Sequence, residues 1–151
     1  MRRLAKQLSQ GERLVLVGGI LLICDLVLLP WHSVDIGDLE IAFDPTRSGI
    51  EEPNGGYGVA AVIFAAVMIV QIVVARLTPL RLPDPPLVPW SQVHLVAGIF
   101  AAVVLVIKLV RETELLGYGA YSGILAALLV AYGGYRIAQE AAAEPADGDP
   151  V

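Results

Sequence analysis

The stretch LVLVGGILLICDLVLLP, residues 14 to 30, decides the fold of this chain, because it is an apolar run that contains a single acid, Asp25. A helix rises about 1.5 Å per residue, so about 20 residues ending at Pro30 reach about 30 Å, the thickness of a bilayer's hydrocarbon core. Apolar residues cover every face of this helix, which excludes an amphipathic helix on a membrane surface. We therefore predict a membrane span over residues 12–30, followed by Trp31 at the headgroup level.

A basic start followed by an apolar run is also typical of a signal peptide. The run here is longer than the apolar region of such peptides. The residues that follow, LPWHSVD, contain no cleavage site of the small-x-small type. We therefore interpret the stretch as a retained span.

Three further apolar runs follow, and 56% of the 151 residues are hydrophobic. We predict further spans at residues 57–75, 91–109 and 117–135. This composition is too apolar for an ordinary soluble domain, so the predicted fold is an all-α membrane protein, a bundle of four transmembrane helices over residues 1–136. The acidic tail, residues 137–151, is predicted to be disordered on the cytoplasmic side.

Charged residues set the orientation of the predicted bundle. Four basic residues lie within residues 1–13, two lie in the proline-rich loop 76–90, and Arg136 follows the last span. The loop 31–56 carries six acids and one base. Because basic segments stay on the cytoplasmic side, we predict a multi-pass protein of the cell (inner) membrane with both termini in the cytoplasm.

The long outer loop has a pattern of its own. Apolar and polar residues alternate at positions 34–36 and 39–43, on either side of Gly37 and Asp38. Alternation around a glycine-containing turn predicts a small β-hairpin. An irregular loop is the alternative, since an isolated hairpin is marginally stable in water.

Two charged residues fall inside the predicted spans at a similar depth, Asp25 in the outer third of the first and Lys108 near the outer end of the third. A charge near a helix centre costs about 3 kcal/mol on insertion scales, so such groups are expected to face protein and to have partners. We predict an ion pair or a water-bridged contact between them. The alternative is that Lys108 extends to the outer headgroups and Asp25 binds a hydroxyl or backbone group.

Other residues of the spans are candidates for contacts between helices. The amide of Gln71 is expected to bond across to another helix, and His94 lies on the same helical face as Lys108. Small residues that recur every four positions form a ridge in the last span, and such a ridge lets helix backbones approach closely. This small-residue ridge fits either packing inside the bundle or dimerisation between bundles, and it consists of Gly119, Gly123, Ala127 and Ala131.

The residues needed for several membrane chemistries are missing from the sequence. One cysteine excludes paired-thiol chemistry, and His32 and His94 lie at opposite membrane edges, where they cannot share a haem iron. No phosphate-binding loop, nucleophile elbow, metalloprotease helix or basic patch with interleaved aromatic residues occurs. We therefore predict no catalytic, cofactor or metal site and no nucleic-acid partner.

Four segments carry a resemblance to known proteins: GER at 11–13, LLPWHS at 28–33, PNGGYG at 53–58 and GYGAYSGILAALLVAYGGY at 117–135. Their arrangement resembles that of small, uncharacterised four-span membrane proteins of actinobacteria. The resemblance implies the four-span fold. It carries no activity and no functional residues.

Two functions remain open on these grounds. The first is a non-enzymatic integral membrane protein that acts as a structural or accessory subunit, in contact with the lipid bilayer and with another membrane protein or a second copy. The second is a small transporter or channel-like oligomer that uses Asp25, because small multidrug transporters also have four spans and an acid in the first. A wet cavity around Asp25 favours transport, whereas a dry contact favours the structural role.

Overall fold

A computed structural model describes residues 8–32, 47–52, 54–78, 83, 85, 87–113 and 116–143. Most of these residues are helical, which confirms the helical part of the predicted fold. The elements within the described residues are α1 (Gln10–Leu28), β1 (Pro30–His32), β2 (Arg47–Ser48), α2 (Gly55–Leu77), α3 (Trp90–Arg111) and α4 (Tyr118–Ala143).

The limits of α1 have local causes. At its start, the Ser9 hydroxyl accepts a hydrogen bond from the Glu12 backbone N–H at 3.2 Å, and the Glu12 carboxylate accepts one from the Ser9 N–H at 2.8 Å. This reciprocal capping satisfies two of the N–H groups that a helix start leaves unpaired. At its end, Leu29 is extended because it precedes Pro30. The helix therefore begins and ends two residues earlier than the predicted span at 12–30.

Each of the four helices lies against two others: α1 and α3 both contact α2 and α4. Neighbouring helices run antiparallel. Gly11 of α1 meets Ile137 near the end of α4, and Phe64 and Phe100 stack between α2 and α3 with ring centroids 5.8 Å apart. In this arrangement α1 and α3 lie on a diagonal, with α2 and α4 between them.

The small-residue ridge of α4 faces the inside of this assembly. Gly119, Gly123 and Ala127 are buried. A Cβ on Gly98 of α3 would lie 2.9 Å from the Ala131 Cα, so the backbones of α3 and α4 are in close contact there. The ridge therefore packs against another helix of the same chain, which is one of its two predicted roles.

The strand pair lies in the region of the predicted hairpin. β1 pairs antiparallel with β2, with Pro30 opposite Ser48 and His32 opposite Arg47. The predicted hairpin strands at 34–36 and 39–43 lie outside the described residues. The observed pair flanks them on both sides in the sequence.

The last helix continues beyond the predicted span. Residues 137 to 143, which the sequence predicted to be disordered, are helical. Alanine is the strongest helix former, and the Arg136 and Glu140 side chains approach to 3.9 Å one turn apart. The Glu140 carboxylate also accepts a hydrogen bond from the Gly11 N–H of α1 at 3.2 Å. The remaining tail, 144–151, lies outside the described residues.

Two of the helices, α2 and α3, are long and apolar enough to cross a membrane. The other two differ from them in composition. α1 carries Glu12, Arg13 and Asp25 within 19 residues, and α4 is rich in glycine and tyrosine.

Candidate functional site

The C-terminal end of α3 holds a buried ion pair. Lys108 is fully buried, and its Nζ lies 3.0 Å from Oε1 and 2.9 Å from Oε2 of Glu112. The two residues are four positions apart, the spacing at which side chains meet on one helical face. The sequence analysis paired Lys108 with Asp25 and missed this contact, although the Lys-x-x-x-Glu spacing is visible in the sequence.

β1 brings two more side chains to the same place. The His32 Nε2 lies 3.1 Å from the Glu112 Oε2, and the Lys108 Nζ lies 5.4 Å from the centroid of the Trp31 ring. A cation at this distance is attracted to the ring face. Trp31 is 1% exposed, so its side chain is buried in the protein instead of meeting the headgroups as predicted. Trp31, His32, Lys108 and Glu112 therefore form one cluster.

Burial lowers the pKa of the His32 imidazole below its ordinary value, because removal from water penalises the charged form. The Glu112 carboxylate acts in the opposite direction, while the cations of Lys108 and Arg47 lower the pKa further. The imidazole is therefore neutral near pH 7. In the neutral Nε2–H tautomer its N–H group lies beside the Glu112 Oε2, 3.1 Å away.

The lowered pKa of His32 gives a pH-dependent stability. The unfolded chain binds the proton more readily than the folded one, so the His32 contribution is complete above the ordinary value of about 6.5 and is lost as the pH falls below it. We expect the free energy of unfolding in mild detergent to decrease from pH 7 to pH 5. A His32→Gln variant, which retains a donor for Glu112, should show a smaller decrease, and equal decreases in the two proteins would contradict the assignment.

Asp25 has a different partner from the predicted one. Its side chain is 5% exposed and accepts a hydrogen bond from the Ser122 hydroxyl of α4. Lys108 pairs with Glu112 instead, because α1 and α3 lie on the diagonal of the assembly. The predicted Asp25–Lys108 pair is therefore replaced by two separate contacts. The alternative prediction holds for Asp25, which binds a hydroxyl, and fails for Lys108, which is buried.

The surroundings of Asp25 are enclosed on one side and open on the other. A Cβ on Gly123 would lie 2.6 Å from the Asp25 Oδ2, so only glycine leaves room for the carboxylate there. Among the described residues, Oδ2 has no hydrogen-bond partner. On the other side lies a groove of about 400 Å³ between α1 and α4, which we call the α1/α4 groove. Its lining includes Leu21, Cys24, Asp25, Leu28, Ser122 and Leu125.

No protein-family model matches this sequence, and comparisons with curated proteins and with solved structures found no match. Function is therefore inferred from the geometry of the chain itself. No three His, Cys, Asp or Glu side chains within the described ranges are grouped so that they could hold a metal ion.

The two remaining candidate residues lie towards the opposite end of the molecule from Lys108. His94 is buried on the same face of α3 as Lys108, and its Nδ1 lies 2.8 Å from the Trp90 carbonyl oxygen. Nδ1–H donates to this carbonyl in the tautomer that leaves Nε2 as an acceptor. Gln71 is partly buried and lines a groove of about 280 Å³ with Val67, Val70 and Trp90. Gln71 lies beside Trp90 of α3, but the predicted bond of its amide to another helix is not among the hydrogen bonds of the described residues.

Proposed function

We propose that the chain is a four-span integral membrane protein that acts as a non-enzymatic accessory or structural subunit. The observation that carries this proposal is the distribution of apolar side chains on the four helices. Soluble proteins rarely expose contiguous apolar patches larger than a few hundred Å². Here every helix exposes large aliphatic or aromatic residues, among them Val17, Ile20, Leu28, Ile63, Val70, Val96, Phe100, Leu125 and Leu128.

The interior is rich in small residues. Many buried positions of the helices are glycine or alanine, and they lie beside larger apolar residues such as Leu22, Met68 and Leu105. Small residues at helix contacts are typical of bundles in lipid, where close backbone approach replaces the hydrophobic effect. The outward faces of α1 and α4 also carry large apolar residues, among them Val17, Leu28 and Leu125, and this supports these two helices as spans. Their charged and glycine residues lie at helix contacts or near the ends.

The inner ends of the helices support the predicted orientation. Arg76 forms an ion pair with Glu12 at 2.8 Å, and Arg136 donates to the Gln10 side chain at 2.9 Å. These contacts bring the start of α1, the end of α2 and the last turns of α4 to one end of the molecule. Since basic residues are retained on the cytoplasmic side, this end is proposed to face the cytoplasm.

This topology predicts the result of reporter fusions. We expect green fluorescent protein to fluoresce when fused to either terminus, and alkaline phosphatase to be inactive there, because both ends stay in the cytoplasm. Alkaline phosphatase inserted at residue 40, in the acidic loop, should be active. Recovery of the chain as a soluble monomer without detergent, or reporters that place the termini on opposite faces, would rule out the proposal.

The accessory role rests on the environment of Asp25. Leucine and alanine side chains form most of the α1/α4 groove, and the carboxylate binds Ser122. This favours a contact in an apolar setting over transport through an aqueous cavity. The test is purification from native membranes in mild detergent. A membrane protein that co-purifies in constant ratio supports the role, whereas a homogeneous species containing only this chain overturns it.

A further inference from the structure

We propose that the α1/α4 groove is the docking surface for a transmembrane helix of another protein, and that this helix carries a lysine or arginine at the depth of Asp25. The inference rests on the proposed accessory function, for which it names the surface and the chemistry of the partner. Three features of the molecule support it: the Asp25 carboxylate, the shape of the groove and the exposed helix faces on either side of it.

The carboxylate supplies the charge complementarity. Asp25 is 95% buried, and only one of its oxygens, Oδ1, accepts a hydrogen bond from Ser122. Among the described residues, Oδ2 lies against Gly123 without a hydrogen-bond partner, and no cation lies within ion-pair distance of the carboxylate, which lines the groove. Ionisable groups within a membrane are almost always paired. A basic side chain from outside the chain is the group that complements this site.

The shape of the groove suits such a side chain. Its volume of about 400 Å³ exceeds that of one long side chain, and leucines form its walls. The methylene stem of a lysine or arginine packs on apolar walls while its charged end reaches a polar group. Here the polar groups are the Asp25 carboxylate and the Ser122 hydroxyl, which line the same groove.

The flanks of the groove suit a helix. Leu28 of α1 is 73% exposed and Leu125 of α4 is 68% exposed, and both line the groove. Side chains on two adjacent helices form ridges, and a third helix packs with its own ridge in the space between them. A partner helix lying along α1 and α4 would therefore contact both leucines and point one residue towards Asp25.

Two other occupants fit less well. A second copy related by a two-fold axis along the membrane normal would bring its own Asp25 to the same depth, and two neighbouring carboxylates disfavour each other's charge. A lipid chain would cover the leucines and leave the carboxylate without a cation. The Asp25 carboxylate is thus complemented by a helix with a basic residue, and by neither a second copy nor a lipid chain.

Cys24 provides the test, because it is the only cysteine of the chain and it lines the groove. The full-length protein is placed in phosphatidylcholine nanodiscs with a synthetic Leu/Ala transmembrane peptide that contains one lysine and, one turn away, one cysteine. The matched peptide has norleucine in place of the lysine. Disulfide cross-linking to Cys24 under mild oxidation is expected to be about fivefold faster with the lysine peptide, a ratio typical of one polar contact between membrane helices.

Variants of the chain show whether the faster cross-linking of the lysine peptide depends on the groove. Asp25→Asn should reduce cross-linking of the lysine peptide to the norleucine rate, and Ser122→Ala should retain part of the preference. A Cys24→Ser/Ile63→Cys protein moves the thiol to the exposed face of α2 and should react equally with both peptides. If Asp25→Asn fails to fold, as judged by circular dichroism, the comparison of the two peptides on the unmodified chain still tests the inference.

The possible results distinguish a failure of the groove as a docking surface from a failure of the accessory role. Equal rates for the two peptides at Cys24, or Cys24–Cys24 dimers in excess of peptide adducts, would overturn the inference. If a membrane protein co-purifies in constant ratio but the peptides react equally, the accessory role stands and the groove is not its docking surface. If the lysine peptide is preferred but no protein co-purifies, the site stands and the accessory role fails.

Discussion

Replacing Lys108 by methionine is expected to lower the free energy of unfolding by about 3–5 kcal/mol, because it leaves the Glu112 carboxylate buried without its cation. Glu112 is 7% exposed and shares both carboxylate oxygens with the Lys108 ammonium. The ring of Trp31 also loses the cation above it. Glu112→Gln should also destabilise the protein, since it removes the carboxylate that pairs with the buried ammonium group.

Combining the two substitutions distinguishes an ion pair from simple packing. In Lys108→Met/Glu112→Gln neither position of the pair carries a charge, so the loss should be smaller than the sum of the two single losses. Equilibrium unfolding in mixed micelles measures all three variants. Arg111→Met is a matched control, because Arg111 is a neighbouring exposed cation and its loss should change stability by about 0.5 kcal/mol or less. Additive losses in the double variant would contradict the pairing.

Gly133→Ala is expected to destabilise the protein by about 1–3 kcal/mol, because an added methyl group overpacks the contact between α4 and α1. A Cβ at this position would lie 2.8 Å from the backbone nitrogen of Val15. A backbone atom cannot rotate away as a side chain can, so the two helices must separate. The measurement is again equilibrium unfolding in mixed micelles.

Gly56→Ala is the matched control for this substitution. Gly56 is also helical, and no atom lies within 4 Å of the position its Cβ would take. Its replacement should leave stability unchanged or raise it by up to about 1 kcal/mol, because alanine loses less conformational freedom than glycine on folding. Equal effects of the two substitutions would show that close approach of α1 and α4 is not what Gly133 provides.

Some members of the candidate site were predictable from the sequence, whereas their partners were not. Asp25, Lys108 and His94 were selected from the sequence as polar residues within apolar runs, and all three are buried. Their depth followed from counting residues along each helix. The depth of a residue does not say which neighbouring helix it faces. The predicted pair of Asp25 and Lys108 therefore linked α1 and α3, which lie on the diagonal of the assembly. The residues they do contact are Ser122 and Glu112.

What the sequence by itself determined is local: the four helices, their approximate ends and the side of each helix that is small or polar. These follow from apolar run length, proline and capping residues, which act within a few positions of the chain. The tertiary structure alone decided that α4 lies between α1 and α3, that Trp31 is buried beneath Lys108, and that Ser122 reaches Asp25. Those contacts join residues distant in sequence, and they depend on the order in which the helices pack, which no single segment encodes.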